Sequence, residues 1–244
     1  MKRRDLLKFF GMGIVFGLFS PYLFSSTEKK TEKRYVMALE LKTCWSLKDC
    51  RVCVDACHEL HNVPDIGDEK EKIMWIWVRP FGEVFKNEFP DLKAKGLASL
   101  PVVLLCNHCA NPPCVKVCPT RSTWKRKDGI VMMDYHRCIG CRYCMAACPY
   151  GARSFNWKEA KNYLRKINPD FPLRTIGVVE KCNFCEERLA TGLLPRCVEV
   201  CPVSALKFGD LLDDKSSVSD LLRERVGIVR KPHLGTNPSV FYIL

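Results

Sequence analysis

The chain has 244 residues, 39 Lys and Arg against 27 Asp and Glu for a formal charge of +12, and 16 cysteines. That length fits one or two domains behind any leader. No Gly-rich phosphate loop, nucleophile–base pair or paired-carboxylate arrangement stands out, so nothing in the sequence reads as a substrate site.

In chain order, Arg3-Arg4-Asp5-Leu6-Leu7-Lys8 fits the twin-arginine export pattern and leads into an apolar run over 9–24, interrupted by Gly11, Gly13, Gly17 and Pro21. Those 16 residues fall short of the roughly twenty that cross a bilayer comfortably. Residues 1–26 are therefore expected to act as an export signal or a short anchor, with cleavage near Ser25-Ser26-Thr27 left open. Twin-arginine export carries folded chains, so thiols could be metallated in the reducing cytoplasm before transport. A charged linker over 27–34 precedes an expected strand at 35–41.

The cysteines fall into four groups of four. The first is Cys44-x5-Cys50-x2-Cys53-x3-Cys57, followed by His58. Its wide first gap is expected to loop out through Trp45–Asp49. His58 and His61 read as polar or interface residues rather than ligands. Residues 62–101 form a cysteine-free insertion carrying Trp75, Trp77, Phe81, Phe85 and Phe89. Alternation over 73–78 predicts a strand, and Pro80-Phe81-Gly82 a turn. The aromatics are expected as core, with some as a docking surface, since Trp and Phe are enriched at interface centres.

The second group is Cys106-x2-Cys109-x4-Cys114-x3-Cys118-Pro119, and the third, 19 residues on, is Cys138-x2-Cys141-x2-Cys144-x3-Cys148-Pro149. Lys127-Asp128-Gly129 predicts a turn into a strand at 130–133. A short helix is predicted over 157–166, closed by Asn168-Pro169-Asp170. The fourth group is Cys182-x2-Cys185-x11-Cys197-x3-Cys201-Pro202, with helix expected at 186–189 and a turn near Gly192. A strand and turn over 205–210, a capped amphipathic helix over 216–225 and an extended end over 233–244 complete the chain.

The third run is the bacterial ferredoxin signature, in which three closely spaced thiolates and one from elsewhere hold a [4Fe–4S] cube. Two two-residue loops let three sulfurs converge on one face. The fourth, a helical turn further on, points at a neighbouring cube. Pro119 and Pro149 fix φ behind that fourth ligand and offer no N–H.

Disulfide frameworks suit short secreted chains, whereas here two-residue spacings recur along the sequence. Zinc sites pair such motifs across a finger or ribbon, and four thiolates within the 11 residues from Cys138 to Cys148 suit a cube better. Sixteen ligands make four [4Fe–4S] clusters with none left over. Each cube with its thiolates brings about two negative charges, lowering the formal +12 to about +4. The basic excess thus neutralises cofactors, and a nucleic-acid partner is not expected. Arg137, Arg142, Lys181 and Arg196 lie close enough to the motifs to raise cluster potentials.

From Cys106 onward the stretches CNHCANPPCVKVCP, CIGCRYCMAACPYGARSFNW, KCNFCEERLATGLLPRCVEVCP, ALKFGD and LGTNPSVFYI resemble the four-cluster electron-transfer subunits of membrane respiratory oxidoreductases. That resemblance implies an α+β fold of two intertwined ferredoxin-like modules with short strands, short helices and long loops. The outer module would comprise residues 35–66 and 176–210, the inner one 101–156, with the aromatic insertion at 67–100 and a tail at 211–244. It also implies crossed ligation. Cys106, Cys109 and Cys114 would share a cube with Cys148, and Cys138, Cys141 and Cys144 with Cys118. Likewise Cys44, Cys50 and Cys53 would pair with Cys201, and Cys182, Cys185 and Cys197 with Cys57. The five-residue first gap departs from the family pattern at Cys44.

The twin-arginine leader, the widened first motif, and ACHELHNVPDIG followed by WIWVRPF are similar to the exported iron–sulfur subunits of Hdr-like menaquinol oxidoreductases, the Dsr-type complexes of sulfur metabolism. The implied role is a relay on the extracytoplasmic face of the cell membrane, with no catalytic residue on the chain. The implied partners are an NrfD-like integral membrane quinone subunit, a multihaem cytochrome and Hdr-like subunits.

Overall fold

The computed structural model describes residues 33–89 and 96–244. The leader with its twin arginines lies outside the described residues, and among those described no helix is long and apolar enough to cross a membrane.

Strand β1 (Tyr35–Glu40), the strand expected at 35–41, is the hub of the fold. Its residues Val36, Met37, Ala38 and Leu39 are all buried, because both faces of the strand are covered. Met37 and Leu39 point into the main core, while Val36 and Ala38 pack with Val218 and Ile243 in a smaller cluster. The sheet is built from distant segments. β1 runs antiparallel to the strand Leu206–Asp210 and parallel to the strand Val240–Ile243, which carries the edge strand Gly227–Ile228. The ends of the described fold thus clamp whatever lies between them.

Between these ends the chain repeats one unit four times: a strand, a loop with the first cysteines of a group, and a short helix carrying the third. β1 leads into α1 (Leu41–Trp45), which contains Cys44, and α2 (Val52–Leu60) carries Cys53 and Cys57. After β2 (Ile76–Pro80) and α3 (Phe81–Val84), β3 (Pro101–Leu105) ends directly before Cys106, and α4 (Pro113–Lys116) holds Cys114. β4 (Thr123–Lys125) and β5 (Val131–Met133) precede Cys138, and α5 (Tyr143–Ala146) holds Cys144. β6 (Ser154–Phe155) pairs with β7 (Val179–Glu180), which delivers Cys182. α6 (Glu186–Leu189) then fills the long gap and α7 (Arg196–Glu199) holds Cys197. β8 (Leu206–Asp210), α8 (Ser217–Glu224), β9 (Gly227–Ile228) and β10 (Val240–Ile243) close the order. Small sheets and short helices make this an α+β fold, and α2, with 9 residues, is the longest helix among the described residues.

Several local expectations are corrected. The strand predicted from residue 73 begins at Ile76, opposite Leu105, because upstream polar groups are engaged elsewhere: Met74 N–H by Ser154 Oγ and the Trp75 indole by Glu180. Pro80-Phe81-Gly82 is not a free turn, since Phe81 starts α3. The aromatic run is core, not a docking surface: Trp75, Trp77, Phe81 and Phe85 are buried, and Phe89 packs against that cluster. Over 157–166 only a 3-10 turn forms, at Ala160–Tyr163, and the Tyr163 carbonyl accepts from Asp65 N instead of continuing a helix.

The widened gap after Cys44 does not simply loop out. Trp45 ends α1 and donates its indole N–H to Pro101 O at 2.8 Å. Ser216 stands in extended geometry before α8 but makes no side-chain cap bond. Its Oγ instead occupies the space that a Cβ on Gly209 would need. The tail is not extended throughout, for a 3-10 turn at Pro232–Leu234 precedes β10.

Candidate metal centres

The repeated unit places its thiols in the same way each time. The third cysteine of each group sits in a short helix, α2, α4, α5 or α7, and the fourth follows it by four residues. Several loop residues adopt left-handed φ, which bends the backbone around the sulfurs: His108, Arg142, Phe184 and Cys185 among them. In the third motif Gly140 also does so, at φ +68. A Cβ there would collide with Gly177 O and lie 3.0 Å from Phe155 Cε2, so only glycine fits.

All sixteen cysteines are free thiols, most of them buried or half-buried, with Cys141 exposed. Cys201 and Cys50 are charged neighbours of Cys44, and these three surround Cys53. Cys57 faces Cys182, Cys185 and Cys197. Cys109 and Cys148 both face Cys106 and Cys114. Thiols from distant motifs thus lie near one another in three places. In the remaining set Cys144 has Cys138 nearby, while Cys118 has Ser122 Oγ at 3.2 Å and no cysteine among its leading neighbours. Links between sets also occur: Cys53 beside Cys57, Cys106 beside Cys182, and Cys114 beside Cys144. These pairs join the four groups of thiols one to the next, from Cys44 through Cys57 and Cys106 to Cys138.

The outer sets meet because the end of α2 is pinned to the segment before the fourth motif. Asn62 Nδ2 donates to Asn168 O and Phe171 O, and Asn168 Nδ2 donates to Leu60 O. His61, 1 % exposed, stacks near Trp75, with Nδ1 2.9 Å from Cys57 O and Nε2 2.9 Å from Glu187 Oε1. It is a buried polar residue, not part of an interface. Its ring lies beside Cys185, since donor atoms of His61, Cys185 and Glu187 are within 4.8 Å of one another. His58 lies 3.1 Å from Ile76 O through Nε2.

The donor chemistry fits iron–sulfur clusters. Burial, and then the neighbouring thiols, push Cys53 up to about 12. The same causes hold Cys57 and Cys197 well above the ordinary thiol value. Four thiolates cannot share such a space without a compensating cation, which cluster iron provides. Backbone N–H groups already aim at sulfur: Phe184 to Cys182 and Arg196 to Cys185 at 3.4 Å each, and Ala205 to Cys201 at 3.2 Å. At Cys118 burial acts upward, but hydrogen bonds led by the Ser122 hydroxyl bring the thiol down to about 7.

Of the four basic residues expected near the clusters, only Lys181 is buried, at 1 % exposed. Arg137 donates to Thr120 O, Arg142 lies over Trp157 at 4.9 Å, and Arg196 pairs with Glu199 at 2.5 Å. Sequence reasoning missed Arg153, 4 % exposed, whose guanidinium donates to Cys114 Sγ at 3.1 Å and Thr123 Oγ1 at 2.8 Å. The available signal was its place five residues after Cys148. It lies in a stretch otherwise of small and aromatic residues.

Residues 100–167 match a 4Fe-4S dicluster domain, and residues 137–206 match a second such family. The chain is 37% identical over 269 aligned residues to the Hdr-like menaquinol oxidoreductase iron-sulfur subunit 1 of Archaeoglobus fulgidus, covering 99% of this chain and 97% of that one. It is 52% identical to a dimethyl sulfoxide reductase iron-sulfur subunit of Halobacterium salinarum, over 80% of this chain and 74% of that one. With the menaquinone reductase iron-sulfur cluster-binding subunit of Nitratidesulfovibrio vulgaris it shares 32% identity over 89% and 91% of the two chains. Two dicluster matches and sixteen cysteines in four groups give the chain four [4Fe–4S] clusters.

Proposed function

We propose that this chain, which belongs to the ferredoxin-type iron–sulfur electron-transfer subunits of respiratory oxidoreductases, relays electrons between a membrane menaquinol or quinone subunit of NrfD-like type and partner redox subunits in sulfur-compound respiration. The partners on the other side are Hdr-like subunits and a multihaem cytochrome. The reading rests on the near full-length likeness to the Archaeoglobus subunit, supported by groups of thiols that adjoin one another in succession.

The ligand sets are Cys44, Cys50, Cys53 with Cys201; Cys57 with Cys182, Cys185, Cys197; Cys106, Cys109, Cys114 with Cys148; and Cys118 with Cys138, Cys141, Cys144. Bound clusters supply transfer of one electron at a time, with no bond made or broken on this chain. The protein's own part is to hold and tune. The cysteines fix each site, backbone N–H groups stabilise charge on sulfur, and the surrounding core excludes water. Exposed Cys141 marks the end of the line open to a partner. Arg3 and Arg4 support export by the twin-arginine route to the outer face of the membrane.

Iron and acid-labile sulfide per chain, with EPR of the reduced complex isolated anaerobically, test this reading. About sixteen of each are expected for four cubes, together with reversible reduction by a quinol analogue. Zinc in place of iron, or clusters that a quinol analogue never reduces, would falsify it, the second outcome leaving a structural metal-binding protein. The likeness to the Halobacterium subunit favours a second reading, the relay of a molybdopterin oxidoreductase, for which a copurifying molybdenum subunit is the mark. Arg3→Lys with Arg4→Lys should retain the chain in the cytoplasm; unaltered placement outside would refute the export route.

A further inference from the structure

We propose that Arg153 and Lys181 make the cluster site of Cys106, Cys109, Cys114 and Cys148 the highest-potential of the four. The proposal rests on the ligand sets given above.

Two buried cations flank that site. The Arg153 guanidinium donates to Cys114 Sγ at 3.1 Å and to Thr123 Oγ1 at 2.8 Å, and it lies 3.6 Å from Met133 Sδ. Its other charged neighbours are Cys144, of the adjoining set, and Cys106. Lys181 donates from Nζ to Val131 O and to Cys182 O. Cys106 is its leading charged neighbour of opposite sign, with Cys182 and Cys114 behind. Arg153 thus stands between the Cys106 and Cys138 sets, and Lys181 between the Cys106 and Cys182 sets. Arg153 and Val131, whose carbonyl accepts from Lys181, both line the cavity of Cys106, Cys109, Cys114 and Cys148.

Neither cation forms an ion pair with a carboxylate among the described residues, although Arg153 is only 4 % exposed and Lys181 only 1 %. A buried charge persists only where another charge balances it. Here the anions at hand are the sulfurs. Adding an electron to that site adds a negative charge between two buried basic side chains, in an interior that water and salt screen poorly. At the other sites the basic residues are weaker levers. Arg137 and Arg142 are exposed, and Arg188, beside Cys185, and Arg196 are both paired with Glu199. Among the described residues the Cys44 set receives a backbone N–H, at Cys201, rather than a cation.

The test is an EPR-monitored potentiometric titration of the anaerobically purified, fully loaded complex. Arg153→Gln should shift the highest of the four reduction steps downward by at least tenfold in its equilibrium constant, about 59 mV for one electron. Arg153→Lys should retain most of the potential, a rescue that a purely space-filling role would not give. Lys181→Gln should lower the same step, and it supplies the reading if Arg153→Gln does not assemble. An unmoved top step in either loaded glutamine variant overturns the proposal, as does a shift confined to a lower step. Cys114→Ser should alter the signal that Arg153→Gln moves. If it alters another signal, the ligand set fails and with it the identity of the tuned site, which overturns the proposal in a way distinct from the loss of the relay reading.

Discussion

Glu180 is a buried carboxylate bonded to Trp75, Asn156 and Arg174. It is fully buried at the end of β7, one residue before Lys181 and two before Cys182. Its carboxylate accepts from Trp75 Nε1 at 2.6 Å, Asn156 Nδ2 at 2.5 Å and Arg174 Nε at 2.8 Å, with Arg174 Nη2 at 2.6 Å completing a buried ion pair. Arg174 in turn donates to the carbonyls of His61, Asn62 and Pro172 and lies over the Trp75 ring at 5.3 Å. One carboxylate therefore ties the insertion, α2 and the strand feeding the fourth motif. Glu180→Gln keeps the shape but leaves the Arg174 charge buried and unpaired, which costs about 3–5 kcal/mol. At about 2–4 °C per kcal/mol for a chain of this size, visible cluster absorbance should be lost roughly 6–20 °C lower on anaerobic heating. Arg174→Met should cost about 1–3 kcal/mol less on the Glu180→Gln background than alone, because the orphaned charge is then gone. A Glu180→Gln melting point within about 2 °C of the parent, the range of a surface change, would refute the reasoning, and so would additive single effects.

Other sites read different links. Gly140→Ala forces a Cβ into Gly177 O at a left-handed φ, so the third motif should lose its cluster, with iron per chain falling from about sixteen toward twelve. Cys141→Ser should lose or convert one cube and strand quinol-dependent turnover; full turnover with four intact clusters would contradict its role as a ligand. Removing iron with a chelator under anaerobic conditions should collapse near-UV circular dichroism along with the visible absorbance, because the clustered thiols and the cations Arg153 and Lys181 lose what balances them. Retention of the tertiary signal would mean that the fold stands without its cofactors.

The cysteine spacing makes four metal centres legible because each group is local: a two-residue loop and a helical turn are set within 14 residues or fewer in the first three groups and within 20 in the fourth, where sequence order nearly determines geometry. The strand at 35–40, the helix at 186–189 and the strand into Asp210 are legible for the same reason. What the sequence hides is non-local. The parallel pairing of β1 with β10 joins Met37 to Val240, and no pattern within either strand names its partner. The predicted helix over 157–166 gives way to a 3-10 turn because the Tyr163 carbonyl accepts from Asp65 N, far earlier in the chain. Arg153 escapes notice for a related reason. In sequence it is a lone basic residue, usually a solvated one, and only the fold turns it inward onto a sulfur from another motif. Spacing therefore points to the ligands proposed for the clusters, whereas long-range packing decides which charges lie beside them. The potentials along the line are properties of the tertiary fold, and substitutions that spare every cysteine should be able to reorder them.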